Sequence, residues 1–256
     1  MHVVVTGASV GIGEAFAREF KKRGATLSLI ARRKDKLAAL AQELGGDITV
    51  IGADLVDPKA AQAALVQAES ERGPVDVLVN NAGVQIIAPA AETDPDAGED
   101  LLDLNVATPL RLIRHALPSM LARGSGTIVN VASMAALSPV PGMLYYNASK
   151  GGLANASEAL RGELWGTGVN VVTVYPGPVH TDMGTKGIAK YEQSPAAGLA
   201  PWGTSDELAR LVVRAVELRQ ARVIYPRAYS VSLLFPNLSR WFSLKFAPRL
   251  KGGGPA

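Results

Sequence analysis

The sequence contains no cysteine and only three histidines, and both shortages exclude kinds of chemistry. Without thiols the chain cannot form disulfides, thiolate zinc sites, iron–sulfur clusters or a cysteine nucleophile. His2, His115 and His180 leave little for a histidine metal site or a Ser-His-Asp triad. We therefore expect no bound metal and look for catalytic groups among other residue types.

Long apolar runs and a strong charge imbalance are also missing. No uncharged apolar run approaches the ~18–20 residues that span a bilayer, and a net charge of +3 does not argue for nucleic-acid binding. Strand-like residues begin at His2, so we expect no signal peptide and a cytoplasmic location. The share of hydrophobic residues (48%) and of charged residues (19%) is typical of a soluble globular protein.

Short apolar runs alternate with amphipathic or Ala-rich segments along most of the chain. We predict strands over residues 3–6, 26–31, 48–51, 75–79, 126–132, 169–175 and 222–225. We predict helices over residues 12–23, 34–44, 58–71, 96–121, 148–165 and 205–218. This alternation, with strands apolar on both faces, predicts a single α/β domain in which helices cover both faces of a doubly wound parallel sheet.

A glycine-rich turn separates the first predicted strand from the first helix. Residues 6–13 read Thr-Gly-Ala-Ser-Val-Gly-Ile-Gly, so Gly7, Gly11 and Gly13 follow each other with Ser9 and Ile12 between them. In this context glycines permit a tight turn, close approach of a pyrophosphate and close helix–strand packing. The helix N-terminus would then face the phosphates. We interpret the turn as a dinucleotide site, with a merely flexible glycine-rich turn as the alternative.

The end of the second predicted strand bears on which dinucleotide binds. An NAD site usually has an acidic residue there, whereas an NADP site has an arginine nearby. This chain has Ala31 followed by Arg32, Arg33 and Lys34. Arginine can hold a 2′-phosphate with two charge-assisted hydrogen bonds. We therefore predict NADP(H) rather than NAD(H); a solvated basic helix start is the alternative, although cations are unfavourable at that end of a helix.

A second set of residues indicates proton transfer. Tyr146 and Lys150 are four residues apart, so on a helix their side chains share one face. A nearby ammonium would lower the pKa of the phenol, and a phenol so tuned can act as general acid or base. Tyr145 has no basic partner at the same spacing. A chance pairing on one helix is the alternative.

Polar residues at predicted strand ends accompany this pair. Ser133 follows the fifth strand, residues 80–83 (Asn-Asn-Ala-Gly) follow the fourth, and Asn105 lies in a helical run where asparagine is a poor filler. Ligands of open parallel sheets bind beyond the carboxyl ends of the strands. We therefore expect these residues to converge on one crevice with Tyr146 and Lys150.

Together these motifs resemble the short-chain dehydrogenase/reductase family, in order and in spacing, from residue 1 to about 225. The resemblance rests on the glycine turn, Asp54, residues 80–83, Asn105, Ser133, the Tyr146–Lys150 pair and Pro176-Gly177. It implies a Rossmann-type fold and reversible NAD(P)-dependent chemistry between carbonyls and alcohols. It also implies a homodimer or homotetramer, through the helices near 96–121 and 148–165.

The resemblance also implies a role for each matching residue. Tyr146 would be the acid/base, Lys150 would lower its pKa and bind the nicotinamide ribose, Ser133 would orient the carbonyl, and Asn105 would hold a water that relays protons. Further cofactor contacts would come from Asp54 and Leu55 near the adenine, from Asn81, Ala82 and Gly83, and from Pro176, Gly177, Val179 and Thr181 at the carboxamide. Two positions depart from the family pattern: Val10 stands where many NADP-using relatives carry a basic residue, and Ala132 replaces a commoner serine.

The long Gly- and Pro-rich segment 176–203 is predicted to be a functional loop over the substrate. The expected pocket lining is Gln85, Ile86, Ala135, Leu137, Val140, Met143, His180, Met183, Tyr191 and Trp202. Most of these are apolar, which predicts a neutral hydrophobic ketone, aldehyde or secondary alcohol as substrate. The alternatives are a non-catalytic NADP(H)-binding regulator and an epimerase or dehydratase, although the latter usually carry a larger substrate domain.

Beyond the predicted catalytic body (1–225), residues 226–256 form an apolar and basic extension with a flexible end. No acidic residue follows Glu217, and Pro236 and Pro248 interrupt any long helix. The segment could lie on an anionic membrane, pack against a partner subunit or over the pocket, or close its own core. We favour packing over membrane contact.

Overall fold

The computed structural model describes residues 1–192 and 200–251, and it forms one seven-stranded parallel sheet. The strands are β1 (His2–Thr6), β2 (Thr26–Ala31), β3 (Ile48–Gly52), β4 (Val77–Asn80), β5 (Gly126–Val131), β6 (Val169–Pro176) and β7 (Arg222–Tyr225). They are ordered β3-β2-β1-β4-β5-β6-β7. The predicted doubly wound Rossmann-type sheet is confirmed, because the chain crosses from β3 back past β1 to start the second half at β4.

Helices connect the strands on both faces of the sheet. They are α1 (Gly11–Lys22), α2 (Lys34–Leu44), α3 (Pro58–Arg72), α4 (Pro95–Leu102), α5 (Thr108–Arg123), α6 (Leu144–Glu163), α7 (Asp182–Ile188), α8 (Ser205–Glu217), α9 (Val231–Leu234) and α10 (Pro236–Phe246). None of the helices within the described ranges is long and apolar enough to cross a membrane.

Strand residues alternate between the two layers of core. Val3 and Val5 of β1 pack in the layer of Phe16 from α1, whereas Val4 packs with Leu65 from α3 on the other face. Because successive side chains of a strand point to opposite faces, a strand buried on both sides must be apolar throughout. This explains why the strands could be recognised as short continuous apolar runs.

Two helical segments differ from the sequence prediction. The predicted helix 96–121 is divided by a π-helical turn at Asp103–Ala107. The predicted loop 176–203 contains α7, whose first turn is capped by the Thr181 side chain accepting from the Gly184 N–H at 3.1 Å. Residues 193–199 of that segment, and residues 252–256 of the predicted flexible end, lie outside the described residues.

Candidate active site

A deep cleft of about 1260 Å³ opens at the carboxyl ends of the strands. It is centred on β1, whose neighbours β2 and β4 are reached by connections that run in opposite directions. Such a reversal of strand order leaves a crevice between the connecting loops, and this is where open α/β sheets bind ligands. The cleft has two ends, one at the glycine turn and one beside Ser133 and Tyr146.

Backbone packing holds the glycine turn in place. Gly7 has a φ of +67° and donates its N–H to the Ile30 carbonyl at 2.8 Å. A Cβ at Gly7 would lie 2.8 Å from the Cα of Ala82, and one at Gly13 would lie 2.2 Å from the Gly7 carbonyl oxygen. Because those neighbours are backbone atoms, a side chain at either position requires the backbone to move.

The N-terminus of α1 faces the cleft without a side-chain cap. The N-cap residue is Val10, which has no acceptor to offer, so the N–H groups of the first turn have no side-chain partner. Glycines 11 and 13 in that turn line the cleft. Free N–H groups at the positive end of a helix suit a phosphate group, and the site therefore fits a dinucleotide.

Two arginines lie at the outer end of the phosphate region. The Arg33 guanidinium donates to the Ser9 Oγ at 3.1 Å, and both Arg32 and Arg33 are exposed at the cleft. These contacts bring the end of β2 next to the glycine turn. Every predicted cofactor-binding position lines the cleft: Gly7, Ser9, Gly11, Ile12, Gly13, Arg32, Arg33, Asp54, Leu55, Asn81, Ala82, Gly83, Tyr146, Lys150, Pro176, Gly177, Val179 and Thr181.

At the other end of the cleft, α6 presents Tyr146 and Lys150 toward the end of β5. Tyr146 and Ser133 both line this end of the cleft, and the Ser133 side chain acts to lower the pKa of the Tyr146 hydroxyl. The Lys150 ammonium donates to the Val131 carbonyl at 2.9 Å and lies 5.8 Å from the centre of the Tyr146 ring. The structure thus brings the predicted serine, tyrosine and lysine together.

Burial controls the ionisation of both groups on α6. It raises the pKa of the Tyr146 hydroxyl, and the hydrogen bond with Ser133 opposes this only in part. It also lowers the pKa of Lys150 to about 8. The expectation was that Lys150 would lower the pKa of Tyr146, whereas in this structure desolvation dominates. At neutral pH Tyr146 therefore holds its proton and can donate it.

Asn105 lies behind the cleft wall and not on it. It is fully buried in the π-helical turn. Its side-chain oxygen accepts from the Val84 N–H at 3.0 Å, and its side-chain nitrogen donates to the Val84 carbonyl and to the Ser149 Oγ. Asn105 therefore ties the loop after β4 to α6, directly behind Lys150.

The predicted substrate lining is largely present. Gln85, Ala135, Val140, Met143, Met183, Tyr191 and Trp202 line the cleft. Ile86, Leu137 and His180 do not; the exposed His180 ring stacks against Trp202, with 4.9 Å between ring centres.

Sequence reasoning did not identify the residues of the extension that line the cleft. Phe235, Leu238, Phe242 and Phe246 form part of its wall, together with Ser239 and Ser243. The signal was present, because these phenylalanines and leucine recur at three- and four-residue spacing, which puts them on one face of a helix.

The extension lies across the substrate end of the cleft. The Ser243 hydroxyl donates to the Pro139 carbonyl at 2.8 Å, and the Glu192 N–H donates to the Arg249 carbonyl at 2.8 Å. No residue of α10 is buried. The interpretation of this segment as closure of its own core is therefore wrong for α10, and packing over the pocket is what the structure has.

Comparison with known proteins gives a consistent result. The family model for the short chain dehydrogenase matches residues 1–192. A ketoacyl reductase, HetN of Nostoc, is 36% identical over 87% of this chain and 77% of its own length. A fatty acyl-CoA reductase of Mycobacterium tuberculosis is 37% identical over 93% of this chain and 81% of its own. A short chain dehydrogenase of the fungus Pseudocercospora fijiensis is 38% identical over 71% of this chain, which spans 60% of the fungal protein.

Solved structures resemble the whole chain. A short-chain dehydrogenase from Sphingobium yanoikuyae in complex with NADPH has a TM-score of 0.81 and 27% identity, covering 100% of this chain and 98% of its own. A 3-ketoacyl-(acyl-carrier-protein) reductase from Brucella melitensis complexed with NADH has a TM-score of 0.77 and 28% identity, covering 88% of this chain and 96% of its own.

Proposed function

This chain belongs to the short chain dehydrogenase family of oxidoreductases, and we propose that it transfers hydride between NADP(H) and a hydrophobic carbonyl or secondary alcohol. The observation that carries the proposal is the shared cleft. A glycine turn suited to a dinucleotide opens into the same cavity as Ser133, Tyr146 and the nearby Lys150.

The preference for NADP(H) is supported by charge. Ala31 stands where an NAD-binding relative would offer a carboxylate to the ribose, and the exposed Arg32 and Arg33 follow it, with Arg33 beside Ser9. A 2′-phosphate there could accept charge-assisted hydrogen bonds from Arg33 and the Ser9 hydroxyl. The related structures include both an NADPH and an NADH complex, so this preference rests on the arginines of this chain.

The proposed mechanism follows from the order of groups along the cleft. The nicotinamide, when bound, gives or takes the hydride. Ser133 positions the substrate oxygen, and Tyr146 protonates that oxygen during reduction. The raised pKa of Tyr146 keeps the proton in place until it is needed. The Lys150 ammonium stabilises the phenolate left behind, and Asn105 fixes the loop and helix on which these groups lie.

The hydrophobic substrate is supported by the walls of the cleft. Among the described residues at its inner end, Lys150 is the one cation, and the large side chains of the facing wall from the extension are phenylalanine and leucine, with Ser239 and Ser243 beside them. Such a wall favours a neutral, apolar carbonyl over a sugar phosphate. Relatives named as ketoacyl and fatty acyl-CoA reductases are in accord with a substrate that carries an apolar chain.

We further propose that residues 1–225 form the catalytic body and that residues 226–256 belong to the substrate side. We also propose that the protein is cytoplasmic and that it assembles into a homodimer or homotetramer. The helices α4 to α6 are the expected interface.

The decisive experiment compares two adjacent tyrosines. Wild type, Tyr146→Phe and Tyr145→Phe would be assayed for NADPH and NADH oxidation against a panel of aldehydes and ketones. Loss of the Tyr146 hydroxyl should lower kcat by about 10²–10⁴-fold, as expected for removal of a general acid. Tyr145 packs on Gly98 and lacks a basic partner, so its variant should keep nearly full activity.

Two results would contradict the proposal. Equal activity of wild type and Tyr146→Phe would refute the assigned mechanism. Binding of NADPH without turnover of any carbonyl in the panel would favour the alternative of a non-catalytic regulator.

A further inference from the structure

Helix α10 (Pro236–Phe246) is apolar on two sides, and only one of them faces the cleft. Phe242 and Phe246 line the cleft on its inner side. On the other side Trp241 and Leu244 are 50% and 58% exposed, Leu234 at the end of the preceding α9 is 74% exposed, and none of the three lines the cleft. We call these three residues the outer face.

The outer face has no cover in the part of the chain that the structure describes. No residue of α10 is buried. Large apolar side chains that are exposed on a second face of a helix are normally covered by protein or by lipid, because water solvates apolar surface poorly. The outer face therefore has the composition of a contact surface.

The charged residues of the segment that carries the outer face, from residue 218 onward, have one sign. Arg240 and Lys245 lie on the same helix, Arg249 and Lys251 follow it, and the sequence contains no acidic residue after Glu217. The Lys245 ammonium lies 4.7 Å from the centre of the Trp241 ring, which is a cation–π contact. Exposed tryptophan and leucine flanked by lysine and arginine are typical of helices that lie in a membrane interface.

This charge pattern argues against a symmetric contact between two copies. A two-fold interface places the same patch against itself, so Arg240 and Lys245 of one copy would face those of the other. No carboxylate in residues 218–256 could compensate them. An anionic lipid surface provides both an apolar layer for Trp241 and negative headgroups for the cations.

We propose that the outer face of α10 docks on an anionic membrane surface, with Trp241 and Leu244 at the boundary between headgroups and acyl chains. The inner side of the same helix forms one wall of the cleft. Docking therefore brings the opening of the cleft next to the bilayer. The proposal concerns a surface contact, and it does not depend on the identity of the reaction.

Sedimentation of the full-length chain with two kinds of vesicle tests this proposal. One kind contains phosphatidylcholine alone, and the other contains phosphatidylcholine with phosphatidylserine. We expect at least about tenfold stronger binding to the anionic vesicles, and weaker binding at high salt, because salt screens exposed charges. Replacing Arg240 and Lys245 together by glutamine should weaken it about 25-fold, since each cation near an anionic surface contributes about fivefold.

A tryptophan outside the outer face provides the matched control. Trp165 is 88% exposed and follows α6, so Trp165→Glu and Trp241→Glu introduce the same change at two exposed positions. Only Trp241→Glu should lose binding, by about tenfold or more. Thermal melting curves of both variants verify that they remain folded.

Three results would overturn the proposal. The first is equal sedimentation with both kinds of vesicle. The second is equal loss of binding in the two tryptophan variants. The third is an oligomer, seen by sedimentation velocity without lipid, that Trp241→Glu dissociates, because the outer face would then be a subunit interface.

Discussion

The two ends of the cleft are built in different ways. At the cofactor end, backbone lies against backbone: a Cβ at Gly13 would lie 2.2 Å from the Gly7 carbonyl oxygen. At the substrate end, the wall supplied by α10 consists of side chains that are about half exposed, such as Phe242 at 55%. The first region tolerates almost no change, whereas the second can change its side chains without disturbing the sheet.

This difference suggests that backbone binds the cofactor and that exposed side chains select the substrate. A dinucleotide has a fixed shape, so a rigid cradle can be built from glycines and helix ends. A substrate wall made of exposed apolar side chains can be altered at little cost in stability, because surface substitutions usually change stability by less than ~0.5 kcal/mol. We therefore expect changes at the cofactor end to affect folding and binding, and changes in α10 to affect substrate selection.

Among changes that compare the two ends of the cleft, Gly13→Ala should have the largest effect on cofactor binding. The added methyl group would displace the Gly7 carbonyl and the Asn81 side chain, and overpacking of this kind costs about 3 kcal/mol. Affinity for NADPH should fall about a hundredfold. Isothermal titration calorimetry would measure the Kd for NADPH. Gly151→Ala in α6 is the control, since nothing lies within 4 Å of its new methyl group; an equal loss in both variants would refute the steric explanation.

Lys150 lies beside Tyr146 at the substrate end of the cleft, and it should give activity a pH dependence. Its pKa is lowered to about 8, so the ammonium is present below that pH and is lost as the pH rises through it. The kcat/KM for NADPH should then fall by up to tenfold per pH unit above about 8, because this parameter reports ionisations of the free enzyme.

Lys150→Arg sharpens this prediction. An arginine stays charged at all accessible pH values, so the fall near pH 8 should disappear from whatever activity the variant retains. A variant that shows the same fall as wild type would assign the ionisation to another group.

Arg33→Ala should have an intermediate effect, confined to one cofactor. Loss of a charge-assisted hydrogen bond to a 2′-phosphate should raise the KM for NADPH about tenfold and leave the KM for NADH unchanged. Lys36→Ala is the control, because Lys36 is exposed one turn further along α2 and does not line the cleft. Equal changes for both cofactors would show that Arg33 does not read the 2′ position.

Phe242→Ala should have the smallest effect and should act on the substrate alone. Phe242 and Leu244 are exposed to nearly the same degree, 55% and 58%, but only Phe242 lines the cleft. Removing a half-buried phenyl ring should raise the KM for a hydrophobic ketone about fivefold. Leu244→Ala should not, and neither variant should change the KM for NADPH. An unchanged substrate KM in Phe242→Ala would show that α10 does not contact the substrate.

Most of the sheet and cofactor cradle could be predicted from the sequence, because local pattern determines them. Continuous apolar runs predicted the strand bounds to within two residues. The glycine turn at residues 6–13 predicted the dinucleotide site. The start of α6 was placed four residues late, at residue 148 instead of Leu144. The aromatic residues of its first turn are weaker helix formers than the alanines that follow.

The substrate wall was harder to predict because its partners are distant in sequence. Ser243 meets Pro139, and Arg249 meets Glu192, through hydrogen bonds that no local pattern reveals. The helix α10 is also apolar on two sides, so the usual inference from one apolar face to one buried face does not apply. Helix α7 was overlooked because glycines interrupt it, although Thr181 at its start is a typical cap.

The position of Asn105 depends on the one extra residue that the π-helical turn at Asp103–Ala107 contains. A π turn holds one more residue than an α turn, and here it joins α4 and α5 into one continuous rod. Deleting Val106 would restore a regular helix, and Asn105 would rotate by about 100° relative to α5. Its amide would then leave Val84 and Ser149. A relative whose sequence is one residue shorter at this turn would therefore need other contacts to hold the loop after β4.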